Sequence, residues 1–274
     1  MFQYDKNTLT FVEKQLNVNC PPPESLLIKL SHIVAYLPKD EQSTRIRRFA
    51  LDTDELISEV RWHLGQALLL MKTHPHILKA EEDENEFAIK EIPTDVQHLL
   101  RGFMRQPEKV LYNDLSESRR GGTVAGWIFH MMIDSSVYRA IAALDRIAHI
   151  LWSAAELSED RIYFRSKKVK KLDEIFDCPE SHELLKIAES PLFELIINYR
   201  DGLAHYAKLY AHFSSTPPVD MWTTPNGKEV ISKPGKWDAD LFFALGNAAF
   251  HQVIEALTFA VSICEKKWPI QQKE

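Results

Sequence analysis

The sequence predicts an all-α protein, built as an antiparallel up-and-down helical bundle with additional N-terminal helices. Composition is the first observation: 45% of the 274 residues are hydrophobic, and only nine are glycine against fourteen phenylalanines. So few glycines disfavour a loop-rich β architecture, which needs many tight turns. The second observation is helical apolar spacing with few breakers over long stretches. These predicted helices cover residues 54–73, 123–157, 191–213 and 238–267.

Two helices are predicted before residue 75. Residues 24–37 follow three consecutive prolines and carry apolar residues at helical spacing, and Pro38 is expected to end this helix. Asp52 or Thr53 is the expected N-cap of the second helix, because short polar side chains accept hydrogen bonds from the first free backbone N–H groups. This second helix is expected to end before Pro75, which disfavours helical geometry in the preceding residue.

A pair of adjacent glycines marks the best internal break in the chain. We therefore predict an N-terminal helical region over residues 1–121 and a helical bundle over residues 122–274. The N-terminal region is expected to pack on the bundle or to form part of it. Between its helices, the acidic stretch 81–86 is predicted as a linker, with shorter helices after Pro93 and around Leu111.

The C-terminal half contains further predicted elements. Two short helices are expected before Ser190. The turn signal at residues 225–227 favours a small hairpin. The last helix is expected to begin near Asp238, because a carboxylate is favourable at the positive end of the helix dipole.

Net charge and cysteine content limit which partners and which cellular compartment are expected. The formal net charge of −6 gives no general attraction to nucleic acid, so any contact with RNA must come from a local basic patch. The three cysteines are far apart and odd in number, which fits neither a disulfide framework nor a zinc site of paired cysteines. A cytoplasmic location is therefore expected. The sequence contains neither a secretion signal nor about 18 successive uncharged apolar residues, so no membrane contact is expected.

The third long helix carries the candidate catalytic residues. Arg200 and Asp201 are followed by His205, and at about 100° per residue Asp201, His205, Lys208 and His212 fall within roughly 60° of one another. This polar stripe lies nearly opposite the apolar stripe of the same helix. Arg200 lies to one side, and its long side chain can swing toward the stripe.

These residue types suit the cleavage of an RNA phosphodiester. A histidine that titrates near neutrality can move a proton on or off the 2′-hydroxyl or the leaving oxygen, which is the role predicted for His205. The Arg200 guanidinium can stabilise charge that develops on the phosphoryl oxygens. Asp201 is expected to orient the imidazole. This chemistry requires neither a metal ion nor a cofactor.

The segment from Asn198 to Tyr206 resembles the R-x4-6-H motif of the HEPN superfamily, in which the residue after the arginine is typically Asn, Asp or His. The resemblance covers about residues 122–270, although its specific part is Arg200, Asp201 and His205. One position departs from the toxin branch that pairs with nucleotidyltransferase antitoxins. That branch has a tyrosine two residues after the histidine, where this chain has Ala207.

The HEPN resemblance implies several properties of the chain. Members are helical bundles with the motif on a late helix, and the nucleases commonly form homodimers in which two copies of the motif build one composite cleft. The resemblance therefore implies a metal-independent endoribonuclease, acting as a homodimer on RNA in prokaryotic stress or phage defence, with an antitoxin protein as a possible partner.

A basic stretch provides a candidate surface for the RNA backbone. Six of eleven residues are cationic, with Tyr163 and Phe164 between them. We expect Arg165, Lys167 and Lys168 to contribute to substrate binding, together with Lys208 and His212. The cationic residues are Arg161, Arg165, Lys167, Lys168, Lys170 and Lys171.

Two alternatives remain open from the sequence. The first is a HEPN-like protein without catalysis, which binds RNA or serves dimerisation. The second is a metal-dependent bundle enzyme, because three predicted helices carry a carboxylate and a histidine four residues apart. Asp145 can instead face Arg200 across the bundle and hold it in place. The three pairs are Asp145 with His149, Asp201 with His205, and His251 with Glu255.

Overall fold

The computed structural model describes residues 6–73, 119–157, 161–210 and 239–269, with side chains for 6–73, 128–157, 161–201 and 242–269. All regular secondary structure in these ranges is α-helical, which confirms the predicted fold class. The helices are α1 Lys6–Asn19, α2 Glu24–Ala35, α3 Glu41–Thr73, α4 Arg119–Ala154, α5 Ser166–Phe176, α6 Pro179–Glu189, α7 Pro191–Tyr210 and α8 Ala239–Lys267.

Helices α3 and α4 form the most extensive contact of the bundle. Two ion pairs join them: Arg139 Nε lies 2.8 Å from Glu59 Oε2, and Arg146 Nε lies 3.1 Å from Asp52 Oδ2. Residue numbers rise along α4 as they fall along α3, so the two helices are antiparallel.

Helix α7 is also antiparallel to α4. Tyr199 near its middle donates a hydrogen bond to Asp134 of α4. Phe193, nearer its start, packs edge to face on Phe164, whose backbone N–H binds Asp145 further along α4. Chain direction therefore alternates through α3, α4 and α7, as in an up-and-down bundle.

Helix α8 approaches both α3 and α4 closely at Gly246. A Cβ atom at this position would lie 2.8 Å from Ser136 Oγ and 2.9 Å from Leu64 Cδ2, which are non-bonded contacts too short for any larger residue. Phe242, one turn earlier on α8, packs edge to face on His130 of α4 at 4.5 Å between ring centroids. Since numbers rise together along α4 and α8, these two helices run in the same direction.

One cluster of buried apolar side chains extends through α2 to α8. Trp152, Phe129 and Phe250 are among its largest fully buried members. Residues on both sides of the predicted 121/122 boundary contribute to it, and α4 is already helical from Arg119. The division into two regions itself stays a prediction.

The predicted start of α3 is wrong, because this helix begins at Glu41 rather than near residue 54. Asp40 provides the cap, since its Oδ1 accepts a hydrogen bond of 2.7 Å from the backbone N–H of Ser43. Thr53 is fully buried inside the helix, and its hydroxyl donates to the carbonyl of Phe49. Asp52 pairs with Arg146 instead of capping.

Other predictions agree with the structure or fall outside it. Helix α2 ends before Pro38, two short helices precede Ser190, and the last helix begins within a residue of its predicted start. Helix α1 was not predicted. The linker at 81–86, the helices after Pro93 and around Leu111, and the hairpin at 225–227 lie outside the described residues. Among the described helices, none combines the length and apolar character needed to cross a bilayer.

Candidate functional site

A carboxylate flanked by two guanidiniums lies where α7 meets the segment before α5. Asp201 Oδ1 is 2.7 Å from Nε of Arg200. Arg165 Nη2 donates to the same carboxylate, at 3.3 Å from Oδ2 and 3.5 Å from Oδ1. We call Arg165, Arg200 and Asp201 the arginine–aspartate cluster. The sequence predicted all three as site residues, but placed Arg165 in a separate substrate-binding stretch.

The cluster is only partly covered by protein. The side chains of Arg165, Asp201 and Arg200 are 38%, 28% and 19% exposed, respectively. Nε of Arg200 is itself buried, and no acceptor among the described side chains meets hydrogen-bond geometry with it. Its 2.7 Å approach to Asp201 is therefore an ion pair without an aligned hydrogen bond.

An extended segment positions Arg165. The backbone N–H of Phe164 donates to Asp145 Oδ1 at 2.7 Å, and that of Ile162 approaches His149 Nε2 at 3.4 Å. Ile162 and Phe164 are both buried, because alternate side chains of an extended segment point to the same side, here toward the core. The side chain of the next residue, Arg165, reaches α7. The docking of this segment on α4 thus brings to Asp201 a residue that belongs to neither α4 nor α7.

The charges of the cluster act on the pKa of Asp145, but the predicted role of Asp145 in holding Arg200 stays a prediction. Burial raises the pKa of Asp145, while the Phe164 N–H and the charges of Arg200, Arg165 and Arg146 oppose that rise. Its hydrogen bond goes to the Phe164 backbone, and the carboxylate in closest contact with Arg200 is that of Asp201.

Two residues of α4 next to the cluster were missed by the sequence interpretation. Asp134 accepts a 2.5 Å hydrogen bond from the Tyr199 hydroxyl, and burial raises the pKa of Asp134 to about 6. Tyr138 is 38% exposed. Burial raises the pKa of Tyr138, the Arg200 charge lowers it, and Asp201 and Asp134 raise it further. Asp134 and Tyr138 are four residues apart in a long apolar helix, and this spacing is the sequence signal that could have marked a polar face.

The remaining α7 residues of the predicted site are described only in part. His205 and Lys208 lie on the helical backbone of α7, but their side chains are outside the described residues, and His212 is outside altogether. His205 follows Asp201 by one helical turn, a rise of roughly 6 Å. The predicted Asp201–His205 contact therefore stays a prediction.

The basic stretch divides into parts with different surroundings. The ammonium groups of Lys168 and Lys171 each lie 5.1 Å from the ring of Trp152, as cation–π contacts. Lys167 and Lys170 are exposed on α5. Within the predicted substrate-binding set, Arg165 is the member with a described contact to Asp201.

The carboxylate–histidine pairs proposed for a metal have other partners where the structure describes them. Asp145 and His149 bind backbone N–H groups of the extended segment, and His251 Nε2 lies 2.8 Å from the carbonyl of Asn19. Within the described side chains, no three His, Cys, Asp or Glu residues converge as a metal-ligand set.

Comparison of the chain with protein-family models, with curated proteins and with solved structures gives no match. The class of protein that the fold defines is therefore an all-α bundle, and the candidate site is the arginine–aspartate cluster beside α4.

Proposed function

We propose that the chain is a metal-independent endoribonuclease of the HEPN type. The observation that supports this best is the arginine–aspartate cluster, in which the partly exposed side chains of Arg165 and Arg200 meet at Asp201, one helical turn before His205. Arginine recognises phosphate oxygens through paired N–H groups, and stabilising charge on those oxygens is the main task in phosphodiester cleavage.

The proposed reaction is attack of the 2′-hydroxyl oxygen on the adjacent phosphorus. His205 accepts the hydroxyl proton as the new P–O bond forms. The bond from phosphorus to the 5′-oxygen breaks, and that oxygen takes up a proton. The products are a 2′,3′-cyclic phosphate and a free 5′-hydroxyl. In the homodimer implied by the resemblance, the His205 of each copy would perform one of the two proton transfers.

The cluster suggests a revised role for Asp201. In addition to orienting the imidazole of His205, this carboxylate holds the guanidiniums of Arg200 and Arg165 on one site. Both roles are open to a single side chain with two oxygens. A stress or defence setting and an antitoxin partner belong to the same proposal, through the HEPN resemblance.

The test is incubation of the purified full-length chain with RNA in excess chelator. Cleavage is expected to survive chelation and to leave cyclic-phosphate ends. His205→Ala and Arg200→Lys are each expected to reduce the rate by about 100-fold or more, because they remove the proton carrier and the forked donor. His182→Ala is the matched control, since this exposed histidine lies on α6 beside Asp173 and Asp177.

Three results would redirect the proposal. Loss of cleavage on chelation favours the metal-dependent enzyme. Binding of RNA without cleavage favours the non-catalytic HEPN-like protein. Equal rates in His205→Ala and His182→Ala would remove His205 from the mechanism. Sedimentation of the same preparation checks the implied homodimer.

A further inference from the structure

We infer that Arg165, Arg200 and the Tyr138 hydroxyl form one binding site for a single phosphate of an RNA strand, which we call the seat. Asp201 sets the spacing of the two guanidiniums in it. The inference deepens the proposed function and takes its ligand, RNA, from it. It does not require that the RNA be cleaved. Its new content is that a second arginine and a phenol, from two other elements, complete the α7 motif.

The charge of the cluster suits one phosphodiester. Arg165 and Arg200 carry two positive charges and Asp201 one negative charge, so one positive charge is left over. A phosphodiester carries one negative charge and offers two non-bridging oxygens. Because a carboxylate and a phosphodiester both present forked oxygens to guanidinium groups, two arginines gathered on Asp201 are placed to reach one phosphate.

Tyr138 lies on α4, close to where α7 packs on that helix. It follows Asp134 by four residues on the same face, and Asp134 accepts a hydrogen bond from the hydroxyl of Tyr199, the residue before Arg200. The Tyr138 side chain is 38% exposed. A phenolic O–H donates one hydrogen bond and carries no competing charge near neutral pH. The seat would therefore combine two cationic donors with one neutral donor at the solvent-facing edge of the α4–α7 contact.

The backbone of Arg165 is positioned by the extended segment before α5, which is docked on α4. The segment is anchored through the Phe164 N–H on Asp145 and through the buried Ile162 and Phe164 side chains. None of these contacts uses the Arg165 side chain, so substitution there leaves the segment anchored. A preorganised donor of this kind binds a charged group with little reorganisation. Lys168, three residues later, lies over Trp152 instead.

The experiment measures binding of a 2′-O-methyl RNA oligonucleotide to the full-length chain over a range of salt concentrations. This probe has no free 2′-hydroxyl and cannot be cut by the proposed reaction. Arg165→Ala is compared with Lys170→Ala, which removes an equal charge from the exposed side of α5. Tyr138→Phe is compared with Tyr163→Phe, whose ring is also exposed. Thermal unfolding of each variant confirms that it is folded.

Arg165→Ala is expected to weaken binding about tenfold more than Lys170→Ala, because it removes a forked, preorganised donor in addition to a charge. Tyr138→Phe is expected to weaken binding several-fold, and Tyr163→Phe much less. The combined Arg165→Ala and Tyr138→Phe variant is expected to lose less than the product of the two single effects, because both groups bind one phosphate.

Each other outcome is decisive. Equal losses in Arg165→Ala and Lys170→Ala, or no binding of the probe by the unaltered chain, overturn the seat. Normal cleavage of ordinary RNA by Arg165→Ala and Tyr138→Phe overturns the seat while the proposed nuclease stands. Arg165-dependent and Tyr138-dependent binding without any cleavage supports the seat while the nuclease fails.

Discussion

His130 and Asp134 lie one turn apart on α4, and burial shifts their pKa values in opposite directions. Burial lowers the pKa of His130 from 6.5 to about 4, whereas it raises the pKa of Asp134 from 3.8 to about 6. Both shifts favour the neutral side chain. The His130 ring packs edge to face on Phe242, and the Asp134 carboxyl accepts the Tyr199 hydroxyl. Charging either residue therefore costs folding free energy, but at opposite ends of the pH range.

Asp134→Asn is expected to gain stability relative to the unaltered chain as pH rises from about 4 to 7. Between pH 3.8 and about 6, the folded chain holds the Asp134 proton more tightly than the unfolded chain does. The contribution of Asp134 to folding stability therefore falls as pH rises through that range. At about 1.4 kcal/mol per tenfold change in proton affinity, the gain is at most about 3 kcal/mol. Urea unfolding at several pH values measures it.

His130→Phe provides the matched comparison. The folded chain disfavours protonated His130, so this variant is expected to gain relative stability as pH falls from 6.5 toward 4. Its slope with pH is thus opposite to that of Asp134→Asn. Flat difference curves for both variants would mean that neither residue is enclosed as the structure places it.

Part of the candidate site could be predicted from the sequence. Arg200 and Asp201 follow from a local motif, and Arg165 belongs to a visible basic run. Their meeting at one carboxylate could not be predicted, because it depends on how the segment before α5 docks on α4. Tyr138 was missed for a similar reason: a tyrosine in an apolar helix becomes a site residue only when α7 lies beside it.

At the scale of single helices, Gly246 and Gly65 give a matched pair of substitutions. Gly246→Ala is expected to destabilise the fold by about 1–3 kcal/mol, because its Cβ would meet the buried Ser136 Oγ at 2.8 Å and Leu64 Cδ2 at 2.9 Å. Gly65→Ala brings its Cβ within 3.4 Å of Leu16 Cδ2, an ordinary contact, and alanine is the better helix former by about 1 kcal/mol.

Chemical denaturation of the two glycine variants checks this prediction. Gly246→Ala is expected to unfold at lower denaturant than the unaltered chain, and Gly65→Ala at the same or higher denaturant. Equal midpoints for the two variants would contradict the close approach of α8 to α3 and α4.

Long helices with strong apolar periodicity were predictable, whereas two helical pieces were not. In α1 the only buried residue is Asn19, and Val12 and Leu16 are only partly buried against the core, so the apolar stripe of this helix is short and incompletely covered. Its C-terminal end is instead fixed by tertiary contacts: Arg61 donates to the Cys20 carbonyl and to Asn17, and His251 contacts the Asn19 carbonyl. The first part of α3 was not predicted because Asp52 and Thr53 resemble an N-cap. Only the packing of α3 against α4 shows that these two residues lie inside a helix.

At the scale of the whole molecule, the continuous apolar cluster predicts cooperative unfolding. Leu64 of α3, Leu144 of α4 and Leu257 of α8 belong to the same cluster. The slowest-exchanging amides near these three residues are therefore expected to exchange with the same free energy, that of global unfolding. Hydrogen exchange measured by mass spectrometry tests this. A lower value for α3 alone would support independent units on the two sides of residue 121.

The two ion pairs between α3 and α4 have a consequence for how these helices find each other. Asp52 and Glu59 are seven residues apart, and so are Arg139 and Arg146. A slip of one heptad, roughly 10 Å along the axis, would bring Glu59 opposite Arg146 and keep one pair of the two. The ion pairs alone therefore do not exclude a register of α3 against α4 that is shifted by one heptad. The correct alignment is selected where Leu64 and Ser136 close around Gly246, and a slipped chain must give up its surviving charge contact before it can reach that alignment.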